Sequence, residues 1–157
     1  MVRIYLVRHG EATPDHVDPA RPLSERGRAQ IERVARLAAA LRPGVAEIRH
    51  SGLLRARQTA EILAAHLVPA NGVRAVDGLT PDDEPARARA ACEAAGEPVM
   101  LVGHLPHLGR LASALLVDNP GKELIRFDTG TLVGLLGGEG VWAVEWVLGP
   151  RLDEPPA

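Results

Sequence analysis

One cysteine, Cys92, stands in 157 residues, so an internal disulfide is excluded. Aromatic residues reach only 3%, namely Tyr5, Phe127, Trp142 and Trp146, which leaves no stacking platform of the kind single-strand binders use. With a formal net charge of −2, the chain also lacks the basic excess that nucleic acid attracts. Nucleic acid is therefore not an expected partner. No apolar run approaches the roughly 20 residues of a membrane span, and the N-terminus carries no signal-peptide pattern. A soluble, cytoplasmic protein without membrane contact is expected. Lysine is nearly absent: Lys122 is alone among 18 basic residues, a bias that gives the surface arginines no functional weight as a class. The length fits one domain, and folding at this size hides roughly 70% of the unfolded chain's surface.

What is present begins at the N-terminus. The apolar run Val2-Arg3-Ile4-Tyr5-Leu6-Val7 leads straight into Arg8-His9-Gly10-Glu11, which puts a guanidinium and an imidazole at a strand end, where open α/β sheets place their chemistry. The arrangement recurs: Val99-Met100-Leu101-Val102 runs into Gly103-His104. Between them, Ser51 to Thr59 opens a helix with Arg55 in its first turn. Helix N-termini and guanidinium forks both favour phosphate, so an anion site is the simplest reading.

Along the chain, Asp15–Arg21 is a polar loop and Ser24 is the expected cap of a first helix, whose inward positions are Ile31, Val34, Ala38 and Leu41 until Pro43-Gly44. A short strand is expected over Val45–Ile48, then a helix capped by Ser51 with Ala56, Ala60, Leu63 and Leu67 inward. A third strand is predicted over Val73–Val76, and an alanine-rich helix over Asp82–Ala95. The strand over Val99–Val102 precedes a fourth helix facing inward through Leu108, Leu111, Ala112 and Leu115. Thr131–Leu136 and Val141–Val147 flank Gly137-Gly138-Glu139-Gly140 and read as a hairpin. The expected fold is α/β: a mostly parallel sheet with helices on both faces and a late antiparallel hairpin. One domain over residues 1–148 is expected, with 149–157 as a loose tail.

Five segments, Arg8-His9-Gly10-Glu11-Ala12, Arg21-Pro22-Leu23-Ser24 with Gly27, Leu54-Arg55-Ala56 with Gln58-Thr59, Leu79-Thr80-Pro81, and Gly103-His104-Leu105-Pro106 with Gly109, together resemble the histidine phosphatase superfamily that includes phosphoglycerate mutases. Within it the chain most resembles the short bacterial phosphohistidine phosphatases of the SixA type. The resemblance spans most of the domain. It implies a phosphoglycerate mutase-like three-layer fold in a minimal form, and His9 as a nucleophile that takes the phosphoryl group. Arg8, Arg21 and Arg55 would bind the phosphoryl oxygens, with His104 as a further hydrogen-bonding partner.

Arg21 also reads as a solvated loop arginine, Arg57 as solvated, and His107 as either lining the pocket mouth or serving as a cap or surface residue. His16, His50 and His66 are read as structural or exposed. No His, Cys and carboxylate spacing resembles a metal site, and no cofactor is expected. Larger relatives use a glutamate as general acid, and here Pro81 stands near its place. Asp82, Asp83 and Glu84 could substitute, or they could mark a helix N-terminus. The stretch from Val76 to Val99 is too short for a helical lid once a connecting helix is counted. An open pocket and a missing acid favour hydrolysis of phosphohistidine in a partner protein, in a bacterial phosphorelay or phosphotransfer system. The alternatives are a small-molecule phosphomonoesterase and a phosphohistidine-binding module without turnover. A monomer is compatible with the sequence.

Overall fold

The computed structural model describes residues 1–151. Strand β1 (Val2–Arg8) buries Ile4, Tyr5, Leu6 and Val7 completely, which explains its unbroken apolar run: both faces of the sheet are covered at this strand. Alternate residues feed two cores. Ile4 and Leu6 join Leu101, Leu108, Leu111 and Val133 on one face, whereas Tyr5 and Val7 join Ile31, Ile48, Leu63 and Val102 on the other.

The chain continues through α1 (Glu25–Ala40), β2 (Glu47–His50), α2 (Leu54–Leu67), β3 (Val73–Ala75), α3 (Pro85–Ala94), β4 (Val99–Gly103), α4 (His107–Val117), β5 (Leu132–Gly138) and β6 (Val141–Leu148). The six strands form one sheet in the order β3-β2-β4-β1-β5-β6. Strands β3, β2, β4 and β1 run parallel, and β5 and β6 complete the sheet antiparallel. This is the expected α/β sandwich. Helices α1 and α2 pack together against one core, α3 and α4 against the other.

The register fixes the position of the site. Arg8 stands opposite Gly103, and the His9 amide donates to the Gly103 carbonyl at 3.1 Å, so β1 and β4 end level. His9 and His104 therefore leave neighbouring strands at one edge. The Ser24 side chain accepts from the Gly27 amide and caps α1 as expected. Gly27 is required here, because a Cβ on it would lie 2.1 Å from the Glu11 carbonyl oxygen. The loop after His9 is thus pressed onto the first turn of α1.

Several boundaries differ from the sequence expectation. Strand β2 starts at Glu47 rather than Val45, although Val45 is buried. Leu41 ends α1 as its C-terminal cap and is half exposed, off the inward stripe. Helix α3 starts at Pro85, not Asp82: proline at the first helical position needs no partner for its nitrogen, and Asp83 is committed to a turn with Thr80. In the hairpin, Gly137 and Gly138 belong to β5, and only Glu139 and Gly140, at φ 54° and 79°, make the turn. Residues 149–151 follow β6, and the rest of the expected tail lies outside the described residues. Between β3 and β4 there is one helix, the ten-residue α3. No helix among the described residues is long and apolar enough to cross a membrane.

Candidate active site

His9 follows β1 and is 7% exposed. Its Nδ1 lies 2.7 Å from the Gly10 carbonyl oxygen, which can only accept, so Nδ1 carries the proton and Nε2 the lone pair. Burial, despite that carbonyl, and then Arg55, Arg8 and Arg21 push the imidazole down to about 4, so it is neutral at physiological pH. Neutral, oriented and bearing a free lone pair, this nitrogen has what a nucleophile toward phosphorus needs.

His104 stands across from it, with ring centroids 4.9 Å apart and planes tilted by 48°. Burial first, then His9, Arg55, His107 and Arg21, lower its pKa to about 3. The Ser51 hydroxyl oxygen lies 2.6 Å from His104 Nε2, while Nδ1 is buried with no partner among the described residues. Ser51 does not cap α2 as the sequence suggests. That cap position is Leu53, without a side-chain hydrogen bond, and the serine is turned to the imidazole instead.

Three arginines surround the histidines. Arg8, the last residue of β1, donates through Nη1 to the Phe127 carbonyl at 2.7 Å. Arg55 stands in the first turn of α2. The Nε atoms of Arg8 and Arg55 are buried donors without a partner among the described residues. Arg21 sits in the loop before α1 in the left-handed region, at φ 49°, and donates through Nε to the Thr13 carbonyl at 3.2 Å. Every charged side chain that shifts His9 or His104, apart from histidines, is an arginine. Such a concentration of positive charge, with the Asp128 carboxylate acting on Arg8, suits a multiply charged oxyanion.

Two residues hold this arrangement together, and the sequence marks them only as motif matches. Thr59 Oγ1 accepts from the Gly10 amide at 3.0 Å and donates to the Arg55 carbonyl at 2.7 Å, which ties the nucleophile loop to α2. Gln58 Oε1 accepts from the Leu23 amide at 2.8 Å and ties α2 to the segment bearing Arg21. Their partners lie 35 and 49 residues away, so no local pattern could reveal these roles.

The remaining candidates separate clearly. Asp83 accepts from the Thr80 amide at 2.8 Å and from its hydroxyl at 2.6 Å, and these bonds hold the carboxyl below its usual range. Glu84 is 80% exposed and faces Arg110 at 3.4 Å, and Asp82 is exposed. His107 lines no mouth and is no surface residue. It is fully buried at the start of α4, with neither ring nitrogen partnered among the described residues. Arg57 is exposed beside Glu61, and His16 is exposed. His50 Nδ1 accepts from the Gly52 amide, and His66 pairs with Glu32. Among the described residues no group of His, Cys, Asp and Glu could hold a metal ion.

Two strand-end histidines thus stand together among arginines, and comparison with known proteins identifies the family. Residues 4–80 match the profile of the Histidine phosphatase superfamily (branch 1). An uncharacterized protein of Picosynechococcus sp. is 37% identical over 146 residues, covering 87% of this chain and 86% of the relative. The protein histidine phosphatase SixA complexed with tungstate superposes with a TM-score of 0.83 at 25% identity, covering 94% of this chain and 97% of the other. SixA from Agrobacterium tumefaciens gives a TM-score of 0.77 at 28% identity, with the same coverage of each chain. The chain belongs to the histidine phosphatase superfamily.

Proposed function

We propose that this chain is a cytoplasmic phosphatase that hydrolyses phosphohistidine on a partner protein of a bacterial phosphorelay or phosphotransfer system, through a phospho-His9 intermediate and without a metal. In the first step the Nε2 lone pair of His9 forms a bond to phosphorus. The P–N bond to the substrate imidazole breaks, and its electron pair returns to that nitrogen, which is protonated by solvent. In the second step a water oxygen attacks phosphorus, the bond to His9 Nε2 breaks, and inorganic phosphate departs as the water proton passes to solvent. Arg8, Arg21 and Arg55 stabilise the charge spread over the phosphoryl oxygens in both steps. His104 donates a further hydrogen bond from its unpartnered nitrogen.

The observation that carries the substrate class is the state of the three candidate acids. Asp83 is held ionised by Thr80, Glu84 faces Arg110 in solvent, and Asp82 is exposed. None is poised to protonate a departing alkoxide, and a phosphohistidine imidazole, once protonated on its ring, leaves without such help. Assays on a phosphohistidine protein, a phosphohistidine peptide and a panel of sugar and nucleotide phosphates test this reading. Faster turnover of the phosphohistidine substrates supports it, and a clear preference for an alkyl phosphate overturns it.

A further inference from the structure

Beside the phosphoryl site lies a second concavity that the chemistry above does not use. The segment from Pro120 to Asp128 and the beginning of α4 enclose about 380 Å³, with walls largely of carbon from Leu105, Pro106, Leu124, Ile125 and Phe127. Leu105 and Leu124 are 37% and 42% exposed, so apolar surface here meets solvent. Two connections link its lining to the site. Leu105 follows His104 in the chain, and the Phe127 carbonyl is the acceptor that holds Arg8. Leu105 and Phe127 thus belong both to the wall of the concavity and to the segments that carry His104 and hold Arg8.

The charges around the concavity differ from those of the phosphoryl pocket. Arg110 faces Glu84 at 3.4 Å and Arg126 faces Asp128 at 3.3 Å, while Lys122 and Glu123 are adjacent residues of opposite sign. A balanced rim over a carbon wall selects no second anion. It selects apolar surface, whereas the hydroxyls of a sugar or nucleotide body would lose water here without gaining partners.

We propose that this concavity is a subsite for an apolar side chain flanking the phosphorylated residue of a polypeptide substrate. The inference rests on the phosphohistidine reading above and adds what must stand beside the histidine. Its volume is near the lower end of ligand sites, the right scale for one or two side chains rather than a whole folded element.

The test compares chemically phosphorylated histidine peptides that differ only next to the phosphohistidine, leucine in one and serine in the other, with the intact chain as enzyme. The leucine peptide should have the higher kcat/KM by about tenfold, the scale expected from burying one aliphatic side chain. Two variants then fill or repolarise the subsite. A Cβ on Gly109 would lie 3.7 Å from Leu105, an ordinary contact, so Gly109→Leu projects into the concavity without a backbone clash. Leu124→Asp changes an exposed position where folding does not depend on the side chain. Both should bring the ratio between the peptides close to one, and a general loss of catalysis cancels from that ratio. Equal rates on both peptides in the unmodified protein, or a preference that survives both variants, overturn the subsite alone. Hydrolysis of phosphoramidate but of neither peptide overturns the phosphohistidine-protein reading, and the subsite with it.

Discussion

Ser51 Oγ stands 2.6 Å from Nε2 of His104, a residue 53 positions away in sequence. The same oxygen accepts from the Leu53 amide at 3.3 Å, so Ser51 ties the entry to α2 to the imidazole. Burial, then His9 and Arg55, lower the His104 pKa to about 3, so the ring is neutral. Ser51→Ala should lower kcat/KM by about 5- to 30-fold, because a buried imidazole nitrogen loses its partner at a cost of ~1–2 kcal/mol. Ser51→Thr should restore most of the activity. Wild-type kinetics in folded Ser51→Ala would show that the hydroxyl does not position His104.

His9→Ala should abolish hydrolysis while the chain stays folded. Brief exposure of the unmodified protein to labelled substrate should trap label that is lost in acid and kept in base, as a phosphoramidate is. Substantial turnover by folded His9→Ala, measured alongside circular dichroism, would remove His9 from the mechanism.

Much of this geometry was legible in the sequence, for physical reasons that also explain what was not. Arg8 and His9 could be placed because a doubly buried strand announces itself as an unbroken apolar run, and Ser24 because its capping bond spans only three residues. The pattern around Ser51 suggests the same local role, but a helix cap and a long-range partner use the same side chain, and only the fold decides between them. His107 follows Pro106 at a helix start, a pattern that fixes the element but not the depth of its burial. The acidic residues before Pro85 resembled a first helical turn, yet the Thr80–Asp83 bonds hold them in a turn outside α3.

The histidine shifts set the pH behaviour of both activity and stability. With His9 lowered to about 4, the nucleophile is already neutral well below the ordinary histidine range. After correction for the substrate's own ionisation, kcat/KM should stay level from neutral pH down to about 5 and fall towards about 4. A limb centred near 6.5 would show that His9 titrates as an ordinary imidazole. Stability follows from the same sign. An unfolded histidine binds its proton near 6.5, so between that value and about 4 for His9, or about 3 for His104, the unfolded chain holds more protons than the folded one. Their contribution is complete above about 6.5 and is lost as pH falls through the window. Urea unfolding between pH 7 and 4 should show the decline, and His9→Ala should make it shallower.

Arg55→Ala should weaken transition-state binding by roughly 2–4 kcal/mol, the scale of losing one preorganised donor to developing charge. Its Nε is buried without a partner among the described residues, which leaves that donor for an oxyanion. Vanadate and tungstate should compete with substrate, and their inhibition constants should rise in Arg55→Ala by a smaller factor than kcat/KM falls. Unchanged inhibition and turnover in this variant would place Arg55 outside the phosphoryl pocket. Chelators should leave the rate unchanged, and loss of activity that a divalent metal restores would contradict the metal-independent mechanism.

The leaving group gives the most discriminating test of the substrate class. Asp83 accepts from Thr80 through Oδ2 and is held ionised, Glu84 is drawn to Arg110, and Asp82 is exposed, so none of the three is set up as a proton donor to a departing alkoxide. Rates on phosphate esters should therefore depend steeply on leaving-group acidity, with activated aryl phosphates reacting slowly and alkyl phosphates hardly at all. Phosphohistidine should escape this dependence, because its imidazole leaves as a neutral base once solvent has protonated the ring. Asp82→Asn, Asp83→Asn and Glu84→Gln, made singly, should each cost less than about tenfold on phosphohistidine, well below the usual worth of a positioned general acid. Asp83→Asn is the critical member, since its amide oxygen can still accept from Thr80 and preserve the turn. If that single change abolishes turnover on every substrate, Asp83 is the acid, its ionised ground state notwithstanding, and the preference for a P–N bond loses the observation that carries it.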